Sequence, residues 1–191
     1  MERDKRVCPP SLAGHLDNWL RTIYHPPQRI LGKFIRPGDI VLDIGAGPGY
    51  FTRAIVKMVG EHGQVIAVDI QDEMLRILKE KAEKEGILSR IRVHKAEPET
   101  LALTEYGQIN FALAFYVVHE VPDARKLFEE ISNLLAPGGK VLIVEPKFHV
   151  SADEFNKSVE IARSVGLSVL ENRKIFLSRA VVMQKDKKMR S

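Results

Sequence analysis

Between residues 40 and 166, short branched-aliphatic runs alternate with amphipathic stretches, a pattern that restricts the chain to a parallel sheet with crossover helices. "IVLDI" (40–44) and "QVIAVDI" (64–70) have the apolar character of strands buried on both faces. "YFTRAIVKMVG" between them reads as a helix closed by Gly60. In "DEMLRILKEKAEKEG", Leu75, Leu78 and Ala82 share one helical face and Gly86 marks the end. "RIRVHKA" (90–96) is the third strand, and "INFALAFYVV" (109–118), the most apolar run of the chain, is expected at the centre of the sheet. Asp123 then caps a helix with the stripe Leu127, Phe128, Ile131, Leu134 and Leu135, which Pro137-Gly138-Gly139 stops. "KVLIVEP" (140–146) is the fifth strand. Ser151 and Glu154 form a capping box for a helix through Phe155, Val159 and Ala162 to Gly166.

Beyond Gly166 the alternation breaks. "LSVLENRKIFLSRAVVMQK" has two strand-like halves with no helix between them, which implies an antiparallel hairpin at a sheet edge. Before residue 40, "PSLAGHLDNWLRTIY" and "PPQRILGKFI" read as two helices, the second starting at a proline pair suited to a first turn. They are expected to pack over the sheet or its C-terminal rim. The division expected is a helical cap at 1–39, one α/β domain at 40–185 and a basic tail at 186–191. A chain of 191 residues with 45% hydrophobic residues has ample core for a single domain without metal or disulfide staples. The one cysteine, Cys8, and an N-terminus without an apolar run fit a cytoplasmic location, and no segment is apolar for long enough to span a membrane. The net charge of +4 owes much to the tail "KDKKMRS", a solvated end rather than a nucleic-acid arm, and no RNA-recognition or zinc-finger pattern accompanies it.

Chemistry is concentrated in "DIGAGPGYF" (43–51), a glycine loop between a strand and a helix. A P-loop needs a lysine and a hydroxyl residue that are absent at the required spacing. The dinucleotide fingerprint has Tyr50 where its third glycine belongs. Asp43, at the end of the first strand, would repel phosphate and welcome a cation, while the helix N-terminus beyond the loop accepts a carboxylate through free N–H groups. An amino acid carrying both groups fits, as in the methionine half of S-adenosylmethionine. Asp69, ending the second strand, stands where an acid accepts hydrogen bonds from the ribose hydroxyls of an adenosine. Taken alone it would read as a solvated helix cap.

Five segments in order, "VLDIGAGPGYFT", "VIAVDI", "HKAEPETL", "FALAFYVVHEVPD" and "LLAPGGKVLIVEP", resemble the successive motifs of class I S-adenosylmethionine-dependent methyltransferases. The resemblance covers residues 40–146 and, with the hairpin, nearly the whole chain. It implies an α/β fold with a Rossmann-like seven-stranded sheet, mostly parallel with an antiparallel C-terminal hairpin, and helices on both faces. It also implies S-adenosylmethionine as cofactor and no metal. By position, Gly45, Ala46 and Gly47 approach the methionine part, Asp43 meets its ammonium, and Asp69, with Ile70 beside it, takes the ribose. Met74 either packs on the adenine or fills a helix core. Ala96 and Glu97 stand where the family often has an aspartate toward the adenine amino group. Phe115 and Tyr116 bring backbone near the sulfonium.

In "YVVHEVPD", a zinc-protease H-E-x-x-H is excluded because residue 123 is Asp and Pro122 interrupts. Two roles stand for His119: a pocket residue acting as general base, or a loop-orienting hydrogen bonder. A base is needed only for an acceptor with a proton to lose. Glu145, Lys147 and His149 after the fifth strand either face the acceptor or, for Glu145, form an internal ion pair. The amino-methyltransferase [DN]-P-P-[YF] pattern is absent, and one cysteine is too few for a thiol-rich arsenic methyltransferase. The expectation is a monomeric or homodimeric methyltransferase acting on a small molecule. Competing readings are an RNA or protein methyltransferase, a nicotinamide-dependent oxidoreductase and a non-catalytic cofactor-binding module.

Overall fold

A computed structural model describes residues 23–104 and 108–186. Expectations for the first N-terminal helix through residue 22, for Cys8 and for tail residues 187–191 lie outside the described residues. The elements in order are α1 (Pro27–Leu31), β1 (Ile40–Ile44), α2 (Tyr50–Val59), β2 (Gln64–Asp69), α3 (Asp72–Lys84), β3 (Ile91–Lys95), β4 (Ile109–Phe115), α4 (Ala124–Leu134), β5 (Leu135–Pro146), α5 (Ala152–Ser164), β6 (Leu167–Ile175) and β7 (Ser178–Lys185). One seven-stranded sheet has the order β3-β2-β1-β4-β5-β7-β6, with β4 at its centre as the apolar run implies. Strands β1 to β5 pair in parallel, and β7 runs antiparallel to both β5 and β6. The edge hairpin therefore folds back so that its second strand, not its first, joins the sheet.

Period-two alternation sends successive side chains to opposite faces. Val41, Val65, Ala67, Phe111, Leu113 and Val144 pack under α1, α2 and α3 through Leu31, Ile55 and Leu78. Leu42, Ile66, Ala112, Ala114, Ile143 and Val181 pack on the other face with Phe128, Ile131 and Phe155 of α4 and α5. Two helix starts agree with the sequence. The Asp123 side chain accepts the Lys126 N–H, and Ser151 and Glu154 close a complete capping box. α1 has Pro27 in its first turn, as expected, but it is short and ends at Leu31.

Two boundaries differ from the sequence reading. β4 ends at Phe115, not residue 118, because Tyr116 adopts φ 64° and turns the chain out of the sheet while its N–H still bonds to Val144 O. β5 begins at Leu135, not 140. Leu135 has helical spacing, yet it is extended (φ −64°, ψ 136°) and pairs with Ile109, so Pro137-Gly138-Gly139 form an irregularity inside a strand instead of a loop after the helix. No helix of the described residues is long and apolar enough to cross a membrane.

Candidate functional site

In this sheet β1 connects outward through β2 to β3, after which the chain returns to place β4 on β1's other side. The strand order thus reverses between β1 and β4, the point where open α/β sheets leave a crevice beyond their carboxyl ends. A cavity of about 830 Å³ lies there. Every residue that the sequence assigned to a cofactor or to catalysis lines it: Asp43, Gly45, Ala46, Gly47, Asp69, Ile70, Met74, Ala96, Glu97, Phe115, Tyr116 and His119.

The glycine loop forms the floor of one half. Gly45, Gly47 and Gly49 all have positive φ (68°, 53° and 86°), which non-glycine residues adopt only with strain. A Cβ on Gly45 would stand 2.5 Å from Val117 Cγ2, whereas one on Gly47 would meet nothing within 4 Å. The Gly47 backbone is therefore bare toward open space. Asp43 is 2% exposed, and its Oδ2 accepts the Thr52 hydroxyl from the first turn of α2 at 2.6 Å. Asp69, 9% exposed, accepts the Gly47 N–H at Oδ2 (2.8 Å) and the Gln71 N–H at Oδ1 (2.9 Å), tying the loop to the end of β2. Burial pushes its pKa up against the backbone donors Gln71, Gly47 and Ile70. With these backbone donors on its two oxygens, the carboxylate keeps lone-pair capacity for a ligand hydroxyl. Met74 is fully buried and Ala96 nearly so, while Ile70 and Glu97 are exposed at the mouth.

The other half is built from the loops after β4 and β5. Glu145, at the end of β5, is 2% exposed. Its Oε1 accepts the Val118 N–H at 3.0 Å and its Oε2 accepts His119 Nδ1 at 2.5 Å. Glu145 thus pairs internally with His119, an ion pair when the imidazole is protonated, while also lining the cavity. His149 lies nearly parallel to His119, centroids 6.0 Å apart, and Lys147 does not line the cavity. Burial pulls the His119 pKa down, but the hydrogen bond and charge of Glu145, with the charge of Glu120, outweigh it and the net displacement is upward. Burial pushes Glu120 up to about 7; the His119 charge opposes this, and Asp69 and Glu145 add to it. The sequence places Glu120 with His119 just past the fourth strand, on the rim where ligands bind, but assigns it no role of its own. Among the described residues no cluster suits a metal ion.

The N-terminal segment reaches the same rim. Tyr50 donates to the His25 carbonyl (3.1 Å), His25 Nε2 donates to Phe176 O (3.1 Å), and Tyr24 stacks on Phe176 at 4.7 Å. Tyr116 OH bonds to Ser178 Oγ at 2.6 Å, which pins the strained end of β4 to the β6–β7 hairpin.

Residues 41–139 match a family model described as methyltransferase domain. The chain is similar to the ubiquinone/menaquinone biosynthesis C-methyltransferase UbiE of Hydrogenovibrio crunogenus, with 32% identity over 111 residues, 58% of this chain and 43% of the relative. It is also similar to the protein of that name from Pasteurella multocida, with 32% identity over 141 residues, 71% of this chain and 52% of the relative. The chain thus spans about half the length of these curated relatives. Among solved structures, it resembles a SAM-dependent methyltransferase from Aquifex aeolicus with a TM-score of 0.84 and 26% identity, covering 93% of this chain and 99% of that one.

Proposed function

Because the chain belongs to the S-adenosylmethionine-dependent methyltransferase family, we propose that it transfers a methyl group from that cofactor to a small-molecule acceptor. The observation that carries the reading is the shared cavity: two buried carboxylates, a bare glycine loop and a helix N-terminus converge on it from β1, β2 and α2. This donor set fits the cofactor's groups. Asp43 suits an ammonium, the first N–H groups of α2 suit a carboxylate, the remaining lone-pair capacity of Asp69 suits a ribose hydroxyl, and Met74, Ala96 and Ile70 offer apolar surface to a flat base.

Bound there, S-adenosylmethionine would supply an electrophilic methyl carbon activated by a positive sulfur. The chain's own contribution is alignment and exclusion. Asp69 holds Gly47 and thereby fixes the loop, and Phe115 and Tyr116 line the cavity between its two halves. Holding reactants in line supplies much of the acceleration in a displacement at carbon. The second half of the cavity, lined from Val117 to Ser158, is the place left for the acceptor. The name of the UbiE relatives supports a small acceptor as well, although the acceptor itself does not carry over from proteins about twice as long.

Calorimetry with S-adenosylhomocysteine tests the cofactor reading. Wild type is expected to bind, and Asp69→Ala to bind at least about tenfold more weakly, the loss of roughly 1.4 kcal/mol of charge-assisted hydrogen bonding. Circular dichroism of the variant should remain that of the folded protein. Unchanged affinity in a folded Asp69→Ala protein would refute the ribose role. Labelled-methyl transfer to small molecules, with RNA and protein as controls, tests the acceptor class.

A further inference from the structure

Resting on the methyl-transfer reading, we propose that His119 is the proton acceptor of the site, positioned by Glu145, and that the methyl acceptor is a small, weakly basic amine that enters in its protonated form.

Geometry assigns the base. With Nδ1 donating to Glu145, the neutral imidazole carries its lone pair on Nε2. Nε2 has no partner among the described residues, and the side chain is one-quarter exposed and lines the cavity. Glu145 already anchors the loop through the Val118 N–H. Its second bond, to His119, is therefore not needed to hold the backbone, but it fixes the tautomer and balances the charge of an imidazolium. The groups facing this ring are Glu145 from β5, Glu120 from its own loop and His149 from the segment before α5; Asp69 from β2 acts on Glu120.

The charge of the cavity chooses the acceptor. In a chain with 29 Lys and Arg against 25 Asp and Glu, nine of the described residues lining the cavity are Asp or Glu and none is Lys or Arg. A phenol or thiol that lost its proton there would leave an anion among carboxylates with no Lys or Arg beside it, and the imidazolium formed at His119 would already be paired to Glu145. An ammonium arrives attracted. When its N–H bond breaks, the electron pair stays on nitrogen and the proton bonds to Nε2; with S-adenosylmethionine bound, that pair would form the new N–C bond as the methyl–sulfur bond breaks with its electrons on sulfur, and the sulfonium charge would pass to the methylated nitrogen. One positive charge moves from the acceptor to His119, directly beside Glu145, and no new charge is created. The proton leaves to water on turnover. Each pH unit by which the amine is more basic than His119 lowers the transferable fraction about tenfold, so weakly basic amines are the best substrates.

The test begins with wild-type protein and S-adenosylhomocysteine, since failure to bind would sink the cofactor reading and this inference with it. With binding established, labelled methyl should pass to small amines and not to phenols or carboxylates. Addition of an amine without cofactor should shift the His119 imidazole resonances in NMR. His119→Gln should keep cofactor affinity within twofold, lose about 100-fold in kcat, and lose the rise of kcat/KM with pH. Glu145→Gln should move the His119 titration, and that rise, to lower pH. Labelling of phenols or carboxylates in place of amines, labelling of nothing in the panel, or a His119→Gln profile with the wild-type pH dependence would each overturn the proposal while leaving the cofactor reading intact.

Discussion

Glu120 and His119 are sequence neighbours whose protonated forms are both favoured by folding. A carboxyl raised from 4.5 to about 7 binds its proton more tightly in the folded state, so its contribution to stability is complete below pH 4.5 and is lost as pH rises through about 7. His119, raised above 6.5, contributes fully below 6.5 and loses that contribution as pH rises through its higher folded value. Both act in the same direction, and urea midpoints should decline from pH 4.5 to beyond 7. Glu120→Gln should match wild type at pH 4.5 and exceed it by about 1 kcal/mol at pH 7.5, a modest gain because the side chain is partly solvated. An equal midpoint difference at both pH values would rule out Glu120 as the source. At this scale the sequence singled out Asp43 and Asp69 as a pair flanking the glycine loop, since Asp69 taken alone reads as a solvated helix cap. It announced His119 by position and left its role open. Nothing local tells which of two adjacent strand ends will supply a carboxylate to it, so the choice between an acceptor contact and an ion pair for Glu145 waited on the pairing of β4 with β5.

Capping decides where elements begin, and capping is local, which is why Asp123 and the Ser151–Glu154 box were legible. Ser151→Ala should cost about 1 kcal/mol in a denaturant titration, as the Glu154 N–H at the start of α5 loses its Oγ acceptor while the Ser151 backbone N–H keeps its bond to Glu154. The glycine loop is more demanding. Gly45→Ala combines a left-handed φ with a Cβ 2.5 Å from Val117 Cγ2, and about 1–3 kcal/mol of destabilisation is expected. Adding Val117→Ala should recover the steric part and not the backbone part, so a double variant as stable as wild type would refute the backbone contribution. Element ends were less legible where tertiary pairing overrides the local pattern. Leu135 keeps helical spacing with Leu127, Phe128, Ile131 and Leu134, but hydrogen bonding to Ile109 draws it into β5. Tyr116 continues an apolar run, but its left-handed conformation ends β4.

For the molecule as a whole, alternation of apolar runs and helical stripes specified a parallel sheet with an edge hairpin, and the strand order agrees with it. The charge inside the cavity was not legible, because its carboxylates come from segments scattered from Asp43 to Glu154 that only the fold assembles. A ligand that binds the folded state alone stabilises it by mass action: S-adenosylhomocysteine at 100 times its Kd should add about 2.7 kcal/mol. In a thermal melt this corresponds to an increase of roughly 5–10 °C for a chain of this size. The same melt with Asp69→Ala should show a smaller shift at equal ligand concentration.

The reversal of strand order between β1 and β4 also divides the chain along its length. Cavity residues through Tyr116 include all those proposed for the cofactor, and those from Val117 onward line the half proposed for the acceptor, so the two proposed recognition tasks occupy consecutive stretches of one polypeptide. A recombination point just after β4 would exchange the second task while leaving the first unaltered. Chimeras that join residues 1–116 to the C-terminal portion of a fold relative should therefore retain this chain's affinity for S-adenosylhomocysteine and acquire the donor's choice of acceptor.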